Sequence, residues 1–246
     1  MRRAALLPMS LFIAGCSRAD PTDMAGPSPA RSSNVAIRDA APGGPARCDS
    51  ADPVERRACL RWDAIGQPDI VYVPTPQAIV DRMLGVARVQ KADLLYDLGC
   101  GDGRIVVTAA RRYGAHAVGF DIDPERVTEA RANVRAAGVE DLVTIRWADI
   151  TMVDLSPAQV VTMYLSPRVE QWLMQSLQKL APGSRIVTHD YKLPDVMPVG
   201  RWSLQGPFFG RSNELYEAGV PEDPAHYQFT EHRIFFYVTP LEFPKE

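Results

Sequence analysis

The chain has 246 residues, 46% hydrophobic and 23% charged, with a formal net charge of -3. That balance suits one globular domain with extra segments, and the absence of any basic run argues against a nucleic-acid-binding surface. The four cysteines include no CxxC pair and the four histidines (His116, His189, His226 and His232) are scattered, so no metal site is expected.

The N-terminal MRRAALLPMSLFIAGC carries Arg2 and Arg3, then an apolar stretch from Ala4. That stretch is too short to span a bilayer as a helix and reads as a secretory signal over residues 1–15. Its end, Ile13-Ala14-Gly15-Cys16, resembles a bacterial lipobox, in which Cys16 is acylated and becomes the first residue. An ordinary signal peptide with a chance cysteine is the alternative. The lipobox reading places the protein in the cell envelope, anchored to the membrane through Cys16 and facing the periplasm. Residues 16–47, rich in Pro, Ala, Ser, Gly and Asp without periodicity, are expected to be a disordered tether. Residues 48–70 form an N-terminal extension where Cys48 and Cys59 flank DSADPVERRA. An oxidising compartment permits a disulfide across this loop, and two free thiols are the alternative.

From residue 71 to 246 the pattern is that of an α/β domain. VYVPTP (Val71 to Pro76) precedes an amphipathic helix. LLYDLG (Leu94 to Gly99) reads as a buried parallel strand, and RIVVTAARRYG (Arg104 to Gly114) as a helix stopped by Gly114. Between them DLGCGDGRI places glycine at Gly99, Gly101 and Gly103, where a missing Cβ lets a ligand lie on the backbone. The dinucleotide fingerprint G-x-G-x-x-G is not met, since Arg104 stands where it needs glycine. Asp97 at the strand end would repel a pyrophosphate on the helix N-terminus but suits a cofactor bearing an ammonium and a sulfonium. The pattern therefore favours S-adenosylmethionine over NAD, and a tight turn with no ligand is the bland alternative. AHAVGFDID (Ala115 to Asp123) is a second strand ending in Asp121, an acid about 20 residues past the loop that can accept from both ribose hydroxyls. Asp123-Pro124 reads as an N-cap and first helical residue, although the two acids could exchange roles. LVTIRWADI (Leu142 to Ile150) is a third strand followed by Asp149, placed to accept from an adenine amino group, while Ile122 can pack on the adenine face.

DLGCGDG, GFDID and WADI, in this order and spacing, resemble the class I (seven-β-strand) S-adenosylmethionine-dependent methyltransferases over roughly Tyr72 to Pro240. The resemblance implies a doubly wound, mostly parallel seven-stranded sheet with an antiparallel C-terminal strand. It implies that Asp97, Gly99, Gly101 and Gly103 hold the methionine moiety, Asp121 the ribose and Asp149 the adenine. VYVPTP, VVTMYLSPRV (Val160 to Val169, a fourth strand and its exit) and PGSRIVTHDYKLPDVMP (Pro182 to Pro198, the fifth) further resemble small bacterial relatives of eukaryotic protein-lysine methyltransferases, which implies an amine acceptor on a protein. DNA and glutamine methyltransferases of this fold carry an Asn/Asp-Pro-Pro-aromatic motif after the fourth strand. Ser166-Pro167-Arg168 stands there instead, against a nucleic-acid partner. RWSLQGPFFG and HYQFTEHRIFFYVTP supply the last two strands, with a polar loop at 211–226.

Ligands of open α/β sheets sit at the carboxyl ends of the strands. Tyr72 and Thr75 are expected to fold over the cofactor as a lid. Tyr164 and Ser166 would orient the acceptor, and His189 and Asp190 would take the proton that an amine loses before attack. Hydrogen bonding at a strand end is the alternative for His189 and Asp190, and a core position for Tyr164. An adenosyl-binding lipoprotein without catalysis and an NAD-linked oxidoreductase remain as rival functions. Lipidation predicts that Cys16→Ser releases the protein from the membrane fraction, because the remaining apolar segment cannot anchor it by spanning. Mass spectrometry of the wild-type envelope protein checks the modification directly.

Overall fold

A computed structural model describes Cys48 and residues 50–65, 72–208 and 228–244. Cys16, the signal segment, the tether and the 211–226 loop lie outside the described residues. The elements are α1 (Pro53–Ile65), α2 (Gln77–Val86), β1 (Leu94–Leu98), α3 (Arg104–Tyr113), β2 (His116–Asp121), α4 (Pro124–Ala137), β3 (Val143–Trp147), β4 (Val160–Met163), α5 (Pro167–Leu177), β5 (Arg185–His189), β6 (Gly200–Phe208) and β7 (Gln228–Val238).

Local rules place most boundaries. Gly103 (φ +80°) opens α3 and Gly114 (φ +66°) closes it, both in the left-handed region that glycine enters without Cβ strain. Asp123 caps α4 by accepting from the Glu125 amide at 2.8 Å, with Pro124 at the first helical position. Two segments differ from the sequence expectation. The fourth strand stops at Met163, because Pro167 is preorganised to start α5. The fifth covers only Arg185–His189, and Pro194 and Pro198 in its exit have no N–H for a ladder. The extension at 48–70 contains a helix, α1, and Cys48 and Cys59 are joined by a disulfide with Cα atoms 5.4 Å apart.

The strands form one seven-stranded sheet in the order β3-β2-β1-β4-β5-β7-β6. The first five are parallel, and only β7 runs against its neighbours. One face, carrying Leu95, Val160, Val187 and Ile234, packs with α2, α3 and α4. The other, carrying Leu98, Val161, Met163, Ile186 and Tyr237, packs with α5. Chain order reverses between β1 and β4, the switch point where the carboxyl ends of an open α/β sheet leave a crevice.

Inside the α5 face lies Glu170, with no exposed surface and no hydrogen-bond partner for either carboxylate oxygen. Burial pushes its pKa to about 8. A carboxyl whose folded pKa is raised contributes full stability below its unfolded value near 4.5 and loses it as pH rises towards 8. Glu170→Gln should therefore melt like the wild type near pH 5 and be the more stable protein at pH 8, by on the order of 3 kcal/mol, which thermal unfolding at the two pH values measures.

Candidate cofactor and acceptor site

A cavity of about 870 Å³ lies at the carboxyl edge of the sheet. Asp97 and Gly99 form its floor. Asp97 is 1% exposed, and in-register pairing of β1 with β4 sets it beside Thr162, whose hydroxyl donates to Oδ1 at 2.8 Å. Oδ2 has no partner. Burial raises the pKa to about 7 against the Thr162 hydrogen bond, and the neighbouring Asp121 and Asp102 charges raise it further. A buried carboxylate oxygen without a donor calls for a cation in the cavity, which is the chemistry of an α-ammonium group.

The three glycines divide by role. Gly99 lines the cavity (φ +74°), and a Cβ there would lie 2.9 Å from Leu165. Gly101 and Gly103, expected to contact the cofactor, do not line the cavity. A Cβ on Gly101 would stand 2.2 Å from the Tyr72 ring, and one on Gly103 would meet Ala130 of α4 at 3.1 Å. These two let protein approach protein. The Gly101 amide donates to Asp121 Oδ2 at 2.8 Å and the Asp123 amide to Oδ1 at 3.0 Å, so Asp121 braces the loop while presenting its carboxylate to the cavity. Burial raises the pKa of Asp121 despite these bonds.

Tyr72 and Thr75, expected to fold over the cofactor, line the cavity. Arg104, the residue that breaks the dinucleotide fingerprint, clamps that segment down. Its guanidinium pairs with Asp102 at 2.7 Å and donates to the Thr75 carbonyl at 2.9 Å. The Tyr72 hydroxyl accepts from the Asp102 amide at 3.3 Å, and the Arg126 guanidinium lies 5.0 Å from its ring centroid. At the far end, Ile122 and Asp149 line the wall. Asp149 Oδ1 accepts from the Thr151 amide and hydroxyl, and Oδ2 lies 3.5 Å from Arg61 Nε of α1. Arg61 and Trp62 also line the cavity. Sequence reasoning missed both, because nothing local marks α1 as a neighbour of β3.

Tyr164, Ser166 and Asp190 line the opposite end, with Tyr191 and the half-exposed Trp172. The Ser166 side chain makes no capping bond to α5, although the residue is the N-cap. Asp190 adopts φ +62° and is held by the Arg233 amide, which donates to Oδ1 at 2.8 Å. The Tyr164 hydroxyl donates to Oδ2 at 3.3 Å. Burial works against ionisation of Asp190, but its polar surroundings outweigh it and hold the pKa below the usual carboxylate value: His232 Nδ1 and His189 Nε2 each lie 3.5 Å from Oδ2, and the Arg233 amide sits on Oδ1.

His189 does not serve as expected. It is fully buried behind Tyr164, with ring centroids 4.1 Å apart, and does not line the cavity. Its Nδ1 meets Thr75 Oγ1 at 3.1 Å and its Nε2 meets His232 Nδ1 at 2.9 Å, while His232 Nε2 faces the Pro207 carbonyl at 3.3 Å. A carbonyl only accepts, so His232 carries its proton on Nε2. His232 Nδ1 then accepts from His189 Nε2–H, and His189 Nδ1 accepts from the Thr75 hydroxyl. Burial lowers the His189 pKa to about 4, with neither nitrogen left for the acceptor. Two histidines that are scattered in sequence thus form one chain. One ring nitrogen of each and an Asp190 carboxylate oxygen lie within 4.8 Å of one another, and hydrogen bonds engage all three residues.

Residues 97–200 match the ANTKMT methyltransferase domain family. A protein-lysine N-methyltransferase of Saccharolobus islandicus is 45% identical over 128 residues, 51% of this chain and 80% of that protein. The mouse adenine nucleotide translocase lysine N-methyltransferase is 33% identical over 53% of this chain, which spans 57% of that relative's length. A crystal structure of an RNA methyltransferase from Salinibacter ruber in complex with S-adenosyl-L-homocysteine aligns with a TM-score of 0.57 and 39% identity, covering 71% of this chain and 98% of the other. Asp97 and Gly99 fit the amino-acid end of such a ligand, and Asp121 its ribose. Asp97→Asn keeps the Thr162 contact but removes the charge, and should weaken S-adenosylmethionine binding about tenfold to a hundredfold by calorimetry. Unchanged affinity in the folded variant would remove Asp97 from the site.

Proposed function

The chain belongs to the class I S-adenosylmethionine-dependent methyltransferases, and we propose that it methylates the ε-amine of a lysine side chain in a protein. The observation that carries this reading is Asp190, a carboxylate held below its usual pKa on the cavity wall with Tyr164 and Tyr191, the Tyr164 hydroxyl donating to it at 3.3 Å. Such a group attracts an ammonium and repels a phosphate. The lysine methyltransferases of Saccharolobus islandicus and mouse support the same acceptor. The Salinibacter ruber structure, an RNA methyltransferase, names the competing one. A net charge of -3 gives little to hold an RNA backbone.

S-adenosylmethionine supplies a methyl carbon activated by its sulfonium. The chain's own contribution is alignment, exclusion of water and control of the amine. Asp97 and Gly99 would hold the amino-acid end of the bound molecule and Asp121 its ribose, while Ile122 and Asp149 line the adenine end. Tyr72 and Thr75, clamped by Arg104, cover it. Asp190 and the Tyr164 hydroxyl orient the incoming amine by hydrogen bonding. With its pKa held low, Asp190 is a weak proton store, and the ammonium proton passes by way of it to solvent before attack. His189 and His232 act at one remove, fixing Thr75 and the strand end that carries Asp190. With Cys16 acylated, the acceptor would be a protein of the cell envelope.

Labelled methyl transfer from S-adenosylmethionine to total protein and to total RNA tests the acceptor, with amino-acid analysis for methyllysine. Label in RNA alone would reject the proposal. Asp190→Asn should cut kcat by about 10²-fold or more on a lysine-containing acceptor and leave S-adenosylmethionine affinity near the wild-type value.

A further inference from the structure

Helix α1 precedes residues 97–200, the segment that matches the family, yet it forms part of the cofactor cavity. Arg61 and Trp62 stand on the wall with Asp149 and Ile122, at the end assigned to adenine. Arg61 also reaches the Asp149 carboxylate. The indole offers a flat apolar face for a purine, and the guanidinium fixes the acid beside it.

The attachment of α1 is weak by ordinary measures. Of its described side chains only Ala58 and Cys59 are buried, while Val54 and Leu60 stay exposed. Two small side chains cannot hold thirteen residues by apolar burial, and a helix of that length is marginal in water by itself. Among the described residues three ion pairs tie this region to the domain, Asp52 with Arg146 of β3 at 2.7 Å, Glu55 with Arg131 of α4 at 2.8 Å and Arg61 with Asp149 at 3.5 Å. All are partly exposed, and such pairs contribute little alone. What remains is the Cys48–Cys59 disulfide, both of whose cysteines are buried. It folds the segment before α1 back onto the helix, and that segment carries Asp52, which reaches Arg146 and accepts from the Val54 amide at 2.8 Å. Closing this loop removes disordered alternatives from the region and keeps these anchors in place.

We propose that α1 is a disulfide-braced wall of the cofactor pocket, with Arg61 and Trp62 contacting the adenosyl end, so that cofactor affinity depends on the Cys48–Cys59 bond. Reduction by a dithiol breaks the S–S bond and leaves thiols at Cys48 and Cys59. Two electrons and two protons pass to the protein, and the reductant becomes its own cyclic disulfide. An oxidising compartment keeps the pocket complete and a reducing one leaves its adenine end loose. The inference rests on the methyltransferase family and not on the identity of the acceptor.

Calorimetry of the full chain with S-adenosylhomocysteine tests it, comparing the oxidised protein, the dithiothreitol-reduced protein and the Cys48→Ser/Cys59→Ser variant without reductant. Reduction and the double substitution should each weaken binding about tenfold, and Trp62→Ala should do the same in the oxidised protein. Reducing the Trp62→Ala variant should add less than reducing the wild type, because both changes remove one contact. Trypsin should cut after Arg56, Arg57 and Arg61 faster once the disulfide is broken. Equal affinity of oxidised and reduced protein overturns the proposal, as does wild-type binding by Trp62→Ala. Should reduction unfold the whole domain by circular dichroism, the oxidised Trp62→Ala variant still decides. Absence of binding in every form, the oxidised wild type included, would count against the cofactor assignment itself.

Discussion

A carboxylate with one oxygen unpaired, set on the central strand of a parallel sheet, is the constraint around which this molecule is arranged. Burial makes ionisation of Asp97 costly in that place, since only Thr162 donates to it, and a cation at the free oxygen would offset the cost. The same register that brings Thr162 to one oxygen turns the other towards the crevice at the switch point. The empty valence of the sheet and the charge of an amino-acid ligand are thus matched before any ligand arrives.

The loop after Asp97 shows how backbone freedom is used. The glycine at position 99 meets the cavity, whereas those at 101 and 103 admit the Tyr72 ring and helix α4. Asp121 holds the loop by two amides, Arg104 ties it to the lid, and the lid residue Thr75 continues into His189 and His232. A run of hydrogen bonds therefore crosses from the cofactor loop, by way of the lid, to the strand that carries Asp190. That continuity is the physical ground for treating the two histidines as positioning groups.

The two ends of the cavity carry acids pushed in opposite directions. Burial raises Asp97 to about 7 against a single hydrogen bond from Thr162, while the polar groups around Asp190 outweigh its burial and hold it low. Environments that separate the titration of two carboxyl groups allow one to await a bound cation and the other to stay charged towards solvent.

How much of this was legible in the sequence follows the range of the interactions. Glycines and prolines at the ends of α3 and α4, the Asp123 cap, the strand–glycine loop–helix unit and the acids at the ends of β1, β2 and β3 are encoded within a few residues of where they act, so the sequence by itself determined the fold class and the cofactor, and the Asp97, Gly99 and Asp121 it singled out line the cavity. The tertiary structure decided what depends on strand order and register. Thr75 and His189 meet across 114 positions, and His189 and His232 across 43. Such partners leave no local periodicity, and so a histidine expected to face the acceptor proved to be sealed behind Tyr164. Arg61 and Trp62 were equally invisible, since a helix with only two buried side chains among those described carries no apolar stripe to announce what it covers. Secondary structure and loop chemistry are short-range consequences of backbone sterics; which side chain faces which is a consequence of packing, and packing exists only once the sheet has closed its order.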